Sequence, residues 1–277
     1  MITHSIIIQG GLGNQLFQIY ALINYCMENN CSFILPFNMQ QWDKRHTYWD
    51  TLFNNLIDHV KLIHEMNFFK EYNEPHFYYN EIPLFTTNNI LNGYFQTELY
   101  FKKHFEKICS MLNIREKQNT IKNRYITCEN TISLHFRMGD YSGLPAHHPI
   151  ISDTYYINCL NYIIQTAENN NENWNVYYCC EKEDDDKVIT RINNIKQYFK
   201  NIEFCKISNT MEDWEQLLFM SVCKYNIIAN STFSWWSAYF NTNKQKIVCY
   251  PSLWFGYALA HHDLKDLYPL DWIKINI

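Results

Sequence analysis

From residue 131 onward the chain alternates short apolar runs with helix-length amphipathic segments, and nothing else in it constrains the fold as strongly. Strands are expected at 131–136, 175–180, 202–205, 226–229 and 246–250, the last closing the series. Helices are expected between them at 153–168, 184–198, 211–223 and 233–241. Strands joined through helices at this spacing form a parallel sheet with right-handed crossovers. An α/β fold follows.

The first part of the chain reads less regularly. A β-branched run at 6–8 breaks into Gly10-Gly11-Leu12-Gly13-Asn14-Gln15, and a helix is expected over 16–28. A strand is expected at 31–36, a strand or strand end at 91–96, and a helix at 97–112. Residues 38–92 are Asn- and aromatic-rich, with weak helical patterns near 52–72. The polar segment 115–130 reads as a linker, and 169–171 as a short Asn loop. The expected organisation is two Rossmann-like α/β lobes facing across a cleft. The first, 1–126, supplies the acceptor side, with 264–277 able to pack back on it. The second, 127–263, holds a nucleotide.

Two strand ends in the second lobe carry the chemistry. One leads into His135-Phe136-Arg137-Met138-Gly139-Asp140-Tyr141, the other into Asn230-Ser231-Thr232-Phe233-Ser234-Trp235-Trp236. Open α/β sheets hold phosphorylated ligands where a strand gives way to a helix N-terminus. A guanidinium on one loop and hydroxyls on the other suit a diphosphate. That points to an enzyme using a nucleotide-linked donor. Each residue also has a plainer reading. Arg137 pairs with Asp140 in a structural salt bridge, or with a diphosphate whose charge grows as a glycosidic bond breaks. His135 hydrogen-bonds a nucleotide or is a satisfied strand-end histidine. Ser231 or Thr232 caps a helix, a geometry that phosphate binding shares. Trp235 and Trp236 read as packing, with one of them able to border a sugar.

The glycine loop fails the dinucleotide pattern, because Leu16 stands where the last glycine belongs, and no Lys-Ser/Thr follows for a P-loop. Gly11 and Gly13 permit positive φ and close approach of a ligand. The amides of Asn14 and Gln15 at a helix start suit a sugar or phosphate.

Several partners are excluded. A net charge of −5 without any Lys/Arg run gives no electrostatic footprint for nucleic acid. The ten cysteines are scattered without a C-x-x-C pair, so no zinc ribbon is expected and a reducing compartment is. No apolar stretch approaches membrane-span length and no signal peptide is read. The expected location is cytoplasmic, soluble or peripherally membrane-associated. Asp184 and Asp186 form an Asp-x-Asp pair that either holds a metal or favours a helix dipole, and the helix start is the preferred reading. His147-His148 and His261-His262 are adjacent pairs, poorly suited to chelation. No metal and no cofactor are expected. The triplet Asn230-Ser231-Thr232 matches a glycosylation site by coincidence. The sequence gives no expectation for oligomeric state.

The motifs together resemble those of glycosyl transferase family 11, the α-1,2-fucosyltransferase family. Gly10-Gly11-Leu12-Gly13-Asn14-Gln15 with Phe17-Gln18 is similar to its N-terminal signature. The 135–141 segment resembles its His-x-Arg-Arg-Gly-Asp-Tyr motif, and 227–236 its third block. Gly93-Tyr94-Phe95-Gln96, Leu267-Tyr268-Pro269 and Trp272-Ile273 fall in family order, so the likeness covers nearly the whole chain. The resemblance implies a GT-B fold, GDP-β-L-fucose as co-substrate, a glycan acceptor, and inversion without a metal. It implies that Arg137 grips the β-phosphate, helped by Ser234 and its neighbours Asn230, Ser231, Thr232 and Trp235. His135 lies near the nucleoside, and the loop of Gly11, Gly13, Asn14 and Gln15 near the sugar. For the base, Asp140 is the nearest carboxylate in sequence, and Glu181 on the donor side ends the next strand.

Two departures stand out. Met138 replaces the second Arg of the motif. Gln216 stands where the family often has an Asp, the natural reader of guanine N1 and N2 hydrogens, with Glu215 or Asp213 as substitutes. The expected activity is transfer of L-fucose to the 2-hydroxyl of a terminal galactose-like sugar. A same-fold transferase using another nucleotide-deoxysugar and a silent glycan- or nucleotide-binding protein are the alternatives.

Overall fold

The computed structural model describes residues 1–37, 46–126, 129–167 and 173–277. The 169–171 loop, residues 38–45 of the irregular region, and residues 127–128 of the expected linker lie outside them. Contacts divide the chain into two units: Met1–Glu116 with His262–Leu270, and Lys117–His261 with Asp271–Ile277.

The first unit opens with β1 (Thr3–Ile6), α1 (Leu12–Asn29), β2 (Ser32–Phe33) and β3 (Leu35–Phe37). It continues through β4 (Val60–Leu62), β5 (Lys70–Asn73), β6 (Asn89–Asn92) and α2 (Phe105–Met111). Its main sheet has the order β2-β1-β6-β5 with every pair parallel, and β3 pairs with β4 separately. α1 is buried on nearly all sides, which makes it the central element of the unit. The strand expected at 6–8 lies earlier because the Ile run continues past the ladder into the turn. His4 and Ser5, polar yet fully buried, occupy the strand proper.

The expected helical patterns near 52–72 are instead 3-10 turns at Asn54–His59 and Ile63–Met66 around β4, followed by β5. β5 reads Lys-Glu-Tyr-Asn on a sheet edge, so it lacks the apolar alternation that marks a strand. The helix expected at 97–112 is broken. Phe101 adopts φ −146°, ψ −6°, and its fully buried ring packs against Phe17 and Tyr20.

The expected linker is a helix, α3 (Ile114–Tyr125), and the division between units falls inside it. Ile114, Gln118 and Ile121 are buried at helical spacing, while the other faces are polar enough to hide that stripe. Gln118 donates to Ser221 Oγ at 2.7 Å and to the Phe240 carbonyl at 3.1 Å, which fastens this helix to the second unit.

The second unit continues with β7 (Thr131–His135), α4 (Asp153–Thr166), β8 (Trp174–Cys179), α5 (Asp185–Lys196) and β9 (Ile202–Lys206). Then come α6 (Asp213–Ser221), β10 (Tyr225–Ile227), α7 (Thr232–Phe240), β11 (Val248–Pro251) and β12 (Ile273–Ile275). The expected alternation holds throughout, with no end shifted by more than two residues. Position 246–250 does not close the sheet, because β12 adds a parallel edge beside β11. Residues 271–277 therefore belong to this unit, and 262–270 to the first, where Asp266 accepts the Tyr79 amide at 3.1 Å.

The sheet order is β12-β11-β10-β7-β8-β9, all parallel. The chain builds outward from β7 to β9, returns to β7's other side with β10, and then builds the opposite way. The switch point lies between β7 and β10. Alternate side chains serve opposite faces. Ile132, Leu134 and Tyr178 join a core with Tyr155, Leu160 and Ile192 from α4 and α5, whereas Tyr177 meets Phe219 of α6 edge-on. Asn226 and Ser133 on this second face are satisfied: Asn226 donates to Ser133 Oγ at 2.7 Å and accepts from Asn241 at 2.7 Å. Among the described residues no helix is long and apolar enough to cross a membrane.

Candidate functional site

At a topological switch point the two flanking loops diverge and leave a crevice outside the carboxyl ends of the strands. Here those loops are the two sequence motifs. Arg137 lies two residues beyond β7, its side chain 14% exposed. Its guanidinium pairs with the Glu181 carboxylate through Nη1 and donates to Asp140 Oδ1 at 2.7 Å through Nη2. The Tyr141 ring lies 5.1 Å from the guanidinium carbon. The Arg137–Asp140 bridge of the plainer reading is present, and Glu181 from the end of β8 joins it. Both carboxylates are partly exposed, so this is a charged cluster at the surface. Gly139 is required here, because a Cβ on it would run into the Glu181 carboxylate. Asp184 adds a further bond, accepting the Gly139 amide at 2.5 Å.

Tyr141 ties the two loops together by donating to the Asn230 carbonyl at 3.0 Å. Asn230 is buried, and its amide nitrogen donates to the carbonyls of Pro149 at 3.0 Å and Trp254 at 3.1 Å. Its Oδ1 is buried without a hydrogen-bond partner. Ser231 occupies the N-cap position of α7 in extended conformation, but its hydroxyl makes no capping bond. Thr232 is half-buried at the first helical position.

Two of the expected donor ligands face inward. Ser234 is buried, accepts the Ala229 amide at 3.2 Å and donates to the Ser231 carbonyl at 3.3 Å. Its hydroxyl builds the turn. Trp235 is fully buried and stacks on Tyr239 at 4.8 Å, as the packing reading has it. Met138 joins the apolar core behind the loop, which explains why an uncharged side chain stands there.

His135 is buried beside the Phe233 ring, with Nδ1 unpartnered. Burial first, and the Arg137 charge second, hold its imidazole down to about 3. It is a neutral ring at the mouth of the sheet. Gln216 is engaged at both ends: Cys179 Sγ donates to Oε1 at 2.9 Å, and Nε2 donates to the Met211 carbonyl at 2.9 Å. Of its proposed substitutes, Glu215 accepts the Glu212 amide at 3.0 Å in a capping box, and Asp213 Oδ1 accepts the Trp214 amide at 2.8 Å.

The glycine loop belongs to the first unit. Gly11 is the N-cap of α1 with φ −72°, and Gly13 is buried in its first turn. Positive φ falls instead on Gly10, at 79°, where a Cβ would collide with the Asn14 side chain. Asn14 is half-buried and its Oδ1 accepts from Gln96 at 3.0 Å. Gln15 is fully buried and braces the loop, donating to the carbonyls of Gly10 at 3.0 Å and His46 at 2.9 Å. Gln18 does likewise, accepting the Gln9 amide at 3.0 Å and donating to the Gly93 carbonyl at 3.1 Å.

Sequence reasoning missed Glu74. Its Oε2 accepts the amides of Tyr94 at 2.8 Å and Phe95 at 2.9 Å, holding Phe95 at φ 53°. Burial raises this carboxyl to about 7, against the pull of those two amides. It sits outside every motif, and no local pattern marks it. Among the described residues no group of three His, Cys, Asp or Glu is placed to hold a metal ion.

A family model described as "Glycosyl transferase family 11" matches residues 5–276. The chain belongs to glycosyl transferase family 11. It is 28% identical to an O-antigen biosynthesis glycosyltransferase, WbnK, of Escherichia coli, over 97% of this chain and 99% of that one. It is 30% identical to an α-1,2-colitosyltransferase of Escherichia coli, over 66% of this chain and 61% of the relative. Among solved structures, NodZ α-1,6-fucosyltransferase co-crystallised with GDP aligns at TM-score 0.51 and 10% identity, over 86% of this chain and 92% of that one. A family 9 glycosyl transferase from Veillonella parvula aligns at TM-score 0.52 and 10% identity, over 99% and 87%. The family 11 chain is thus a glycosyltransferase with a GT-B-type α/β fold.

Proposed function

We propose that this glycosyltransferase moves L-fucose from GDP-β-L-fucose to the 2-hydroxyl of a terminal galactose-like acceptor, with inversion and without a metal. The observation that carries this reading is Arg137 at the carboxyl end of β7, beside the 230–232 loop, at the switch point of a parallel sheet. As the glycosidic bond breaks, negative charge grows on the leaving diphosphate. A guanidinium already held at this strand end neutralises it with two parallel donors, exchanging its Glu181 and Asp140 partners for the diphosphate. That is the task a divalent cation performs in other transferases.

Inversion needs one in-line displacement: the acceptor oxygen bonds to C1 as the C1–O(phosphate) bond breaks, and a carboxylate takes the hydroxyl proton. Asp140 and Glu181 are both partly exposed next to Arg137, and Asp140 is the more open. NodZ, crystallised with GDP, supports a guanosine diphosphate donor. The colitosyltransferase relative favours a second reading, in which the transferred sugar is another nucleotide-linked deoxysugar.

A panel of nucleotide sugars with galactoside acceptors, analysed by NMR for linkage and anomeric configuration, tests the proposal. Turnover of GDP-fucose to an α-1,2 product, unaffected by a chelator, is the expected result. Turnover of another donor alone moves the assignment to the second reading. GDP binding with no turnover across the panel makes the chain a binding protein, and no GDP binding ends the donor-site reading.

A further inference from the structure

We infer that Asp184 is a positioning residue that sets the Arg137 loop for the diphosphate. This rests on the reading of Arg137 given above. Asp184 occupies the N-cap position of α5, where a carboxylate ordinarily accepts the first helical amides, yet it makes no such bond. Its Oδ2 instead reaches across to β7's loop and accepts the Gly139 amide at 2.5 Å. The side chain is 3% exposed, and its cationic neighbour, the exposed Lys187, lies 3.4 Å from Oδ1. A carboxylate so deeply buried is costly to keep, and a role in capping α5 does not account for it.

Gly139 lies between Arg137 and Asp140, so its amide is the fixed point of the turn that carries both. The β8–α5 connection therefore grips this loop twice. Glu181 holds the guanidinium, and Asp184 holds the backbone two residues further on. The two grips depend on one another at Gly139, where any side chain would displace Glu181. When a diphosphate draws Arg137 away from its carboxylates, the Asp184 bond still ties the loop to the β8–α5 connection, alongside the Tyr141 bond to Asn230. Asp186, two positions along and exposed, has no part in this.

The experiment is GDP titration of the full chain, with folding checked by thermal unfolding. Asp184→Ala is expected to weaken GDP binding about tenfold through misplacement of Arg137. Asp184→Asn, which keeps an oxygen for the Gly139 amide, is expected to restore most of that loss. Asp186→Asn is expected to leave affinity unchanged. In an Arg137→Ala background, Asp184→Ala is expected to change affinity by less than about twofold, since the two act through one contact.

Three results would each overturn the inference: unchanged GDP affinity in a folded Asp184→Ala protein, an equal loss in the Arg137→Ala background, or an Asn variant as weak as the Ala one. If Arg137→Ala alone leaves GDP affinity intact, the donor-site reading fails instead. Should Asp184→Ala not fold, hydrogen exchange of the unmodified protein decides. The Gly139 amide is expected to be protected both with and without GDP, and exchange at a free-loop rate contradicts the role.

Discussion

The loop after β1 and the loop after β7 begin alike, each leaving a parallel strand through glycine and polar residues. They then treat their side chains in opposite ways. In the first unit Gln15 and Gln18 turn inward and bond to the loop's own backbone, and Asn14 pairs with Gln96. In the second unit Arg137 stays at the surface among Glu181, Asp140 and the Tyr141 ring. The difference is chemical. An amide side chain both donates and accepts, so it can close a loop upon itself at little cost. A guanidinium only donates and carries a charge whose full burial is expensive. Here the amide side chains build the first loop, and the guanidinium is left in a charged cluster at the end of β7.

The largest expected effect is at Arg137. Replacing it by Ala is expected to lower kcat by about 10³-fold, the scale of losing one charge-stabilising donor, with little change in thermal stability. Asn14→Ala is expected to cost far less turnover. Steady-state kinetics on both variants checks this, and equal losses would erase the distinction between the loops.

Gln15 supplies the converse. Gln15→Leu leaves the Gly10 and His46 carbonyls without their donor and is expected to destabilise the protein by about 1–3 kcal/mol. GDP affinity in the folded fraction is expected to hold. Urea unfolding together with GDP titration measures both, and a stable variant that fails to bind GDP would make Gln15 a ligand-side residue.

The same contrast explains what the sequence made legible. The alternation from β7 to β11 was readable because all of its strands but the edge strand β9 are largely buried, and each is bounded by polar turns. The place of Arg137 just beyond β7 was readable because its motif directly follows a buried apolar run. The roles of Ser234 and Trp235 were not, since a hydroxyl or indole in a polar motif looks the same facing inward or outward. α3 was hidden by its polar faces, and β5 by its position on a sheet edge. Asp184 stands among acidic neighbours at a helix start, and only the path of its side chain to Gly139 separates it from them. Met138 read as a lost charge, whereas the backbone directs that position into the core.

Opposite pH slopes are a smaller effect that sharpens the comparison. His135 in the second unit is held down to about 3 from an ordinary 6.5. The unfolded chain binds a proton that the folded unit refuses. Its effect on stability is therefore nil above the ordinary value, and stability falls as pH drops through that window. Glu74 in the first unit is raised to about 7 from an ordinary 4.5. There the folded unit keeps a proton that the unfolded chain releases, so stability is full below the ordinary value and is lost as pH rises toward neutrality. Urea unfolding across both windows checks this. His135→Asn is expected to flatten only the acid limb and Glu74→Gln only the neutral one.

The central claim is that the charge of Arg137, at the carboxyl edge between β7 and β10, holds the donor diphosphate. Calorimetric titration of GDP into Arg137→Met, which keeps the length of the side chain and removes its charge, tests this most directly. The account predicts at least about a tenfold loss of affinity with unchanged thermal stability. A folded Arg137→Met protein that binds GDP as tightly as the parent would contradict it.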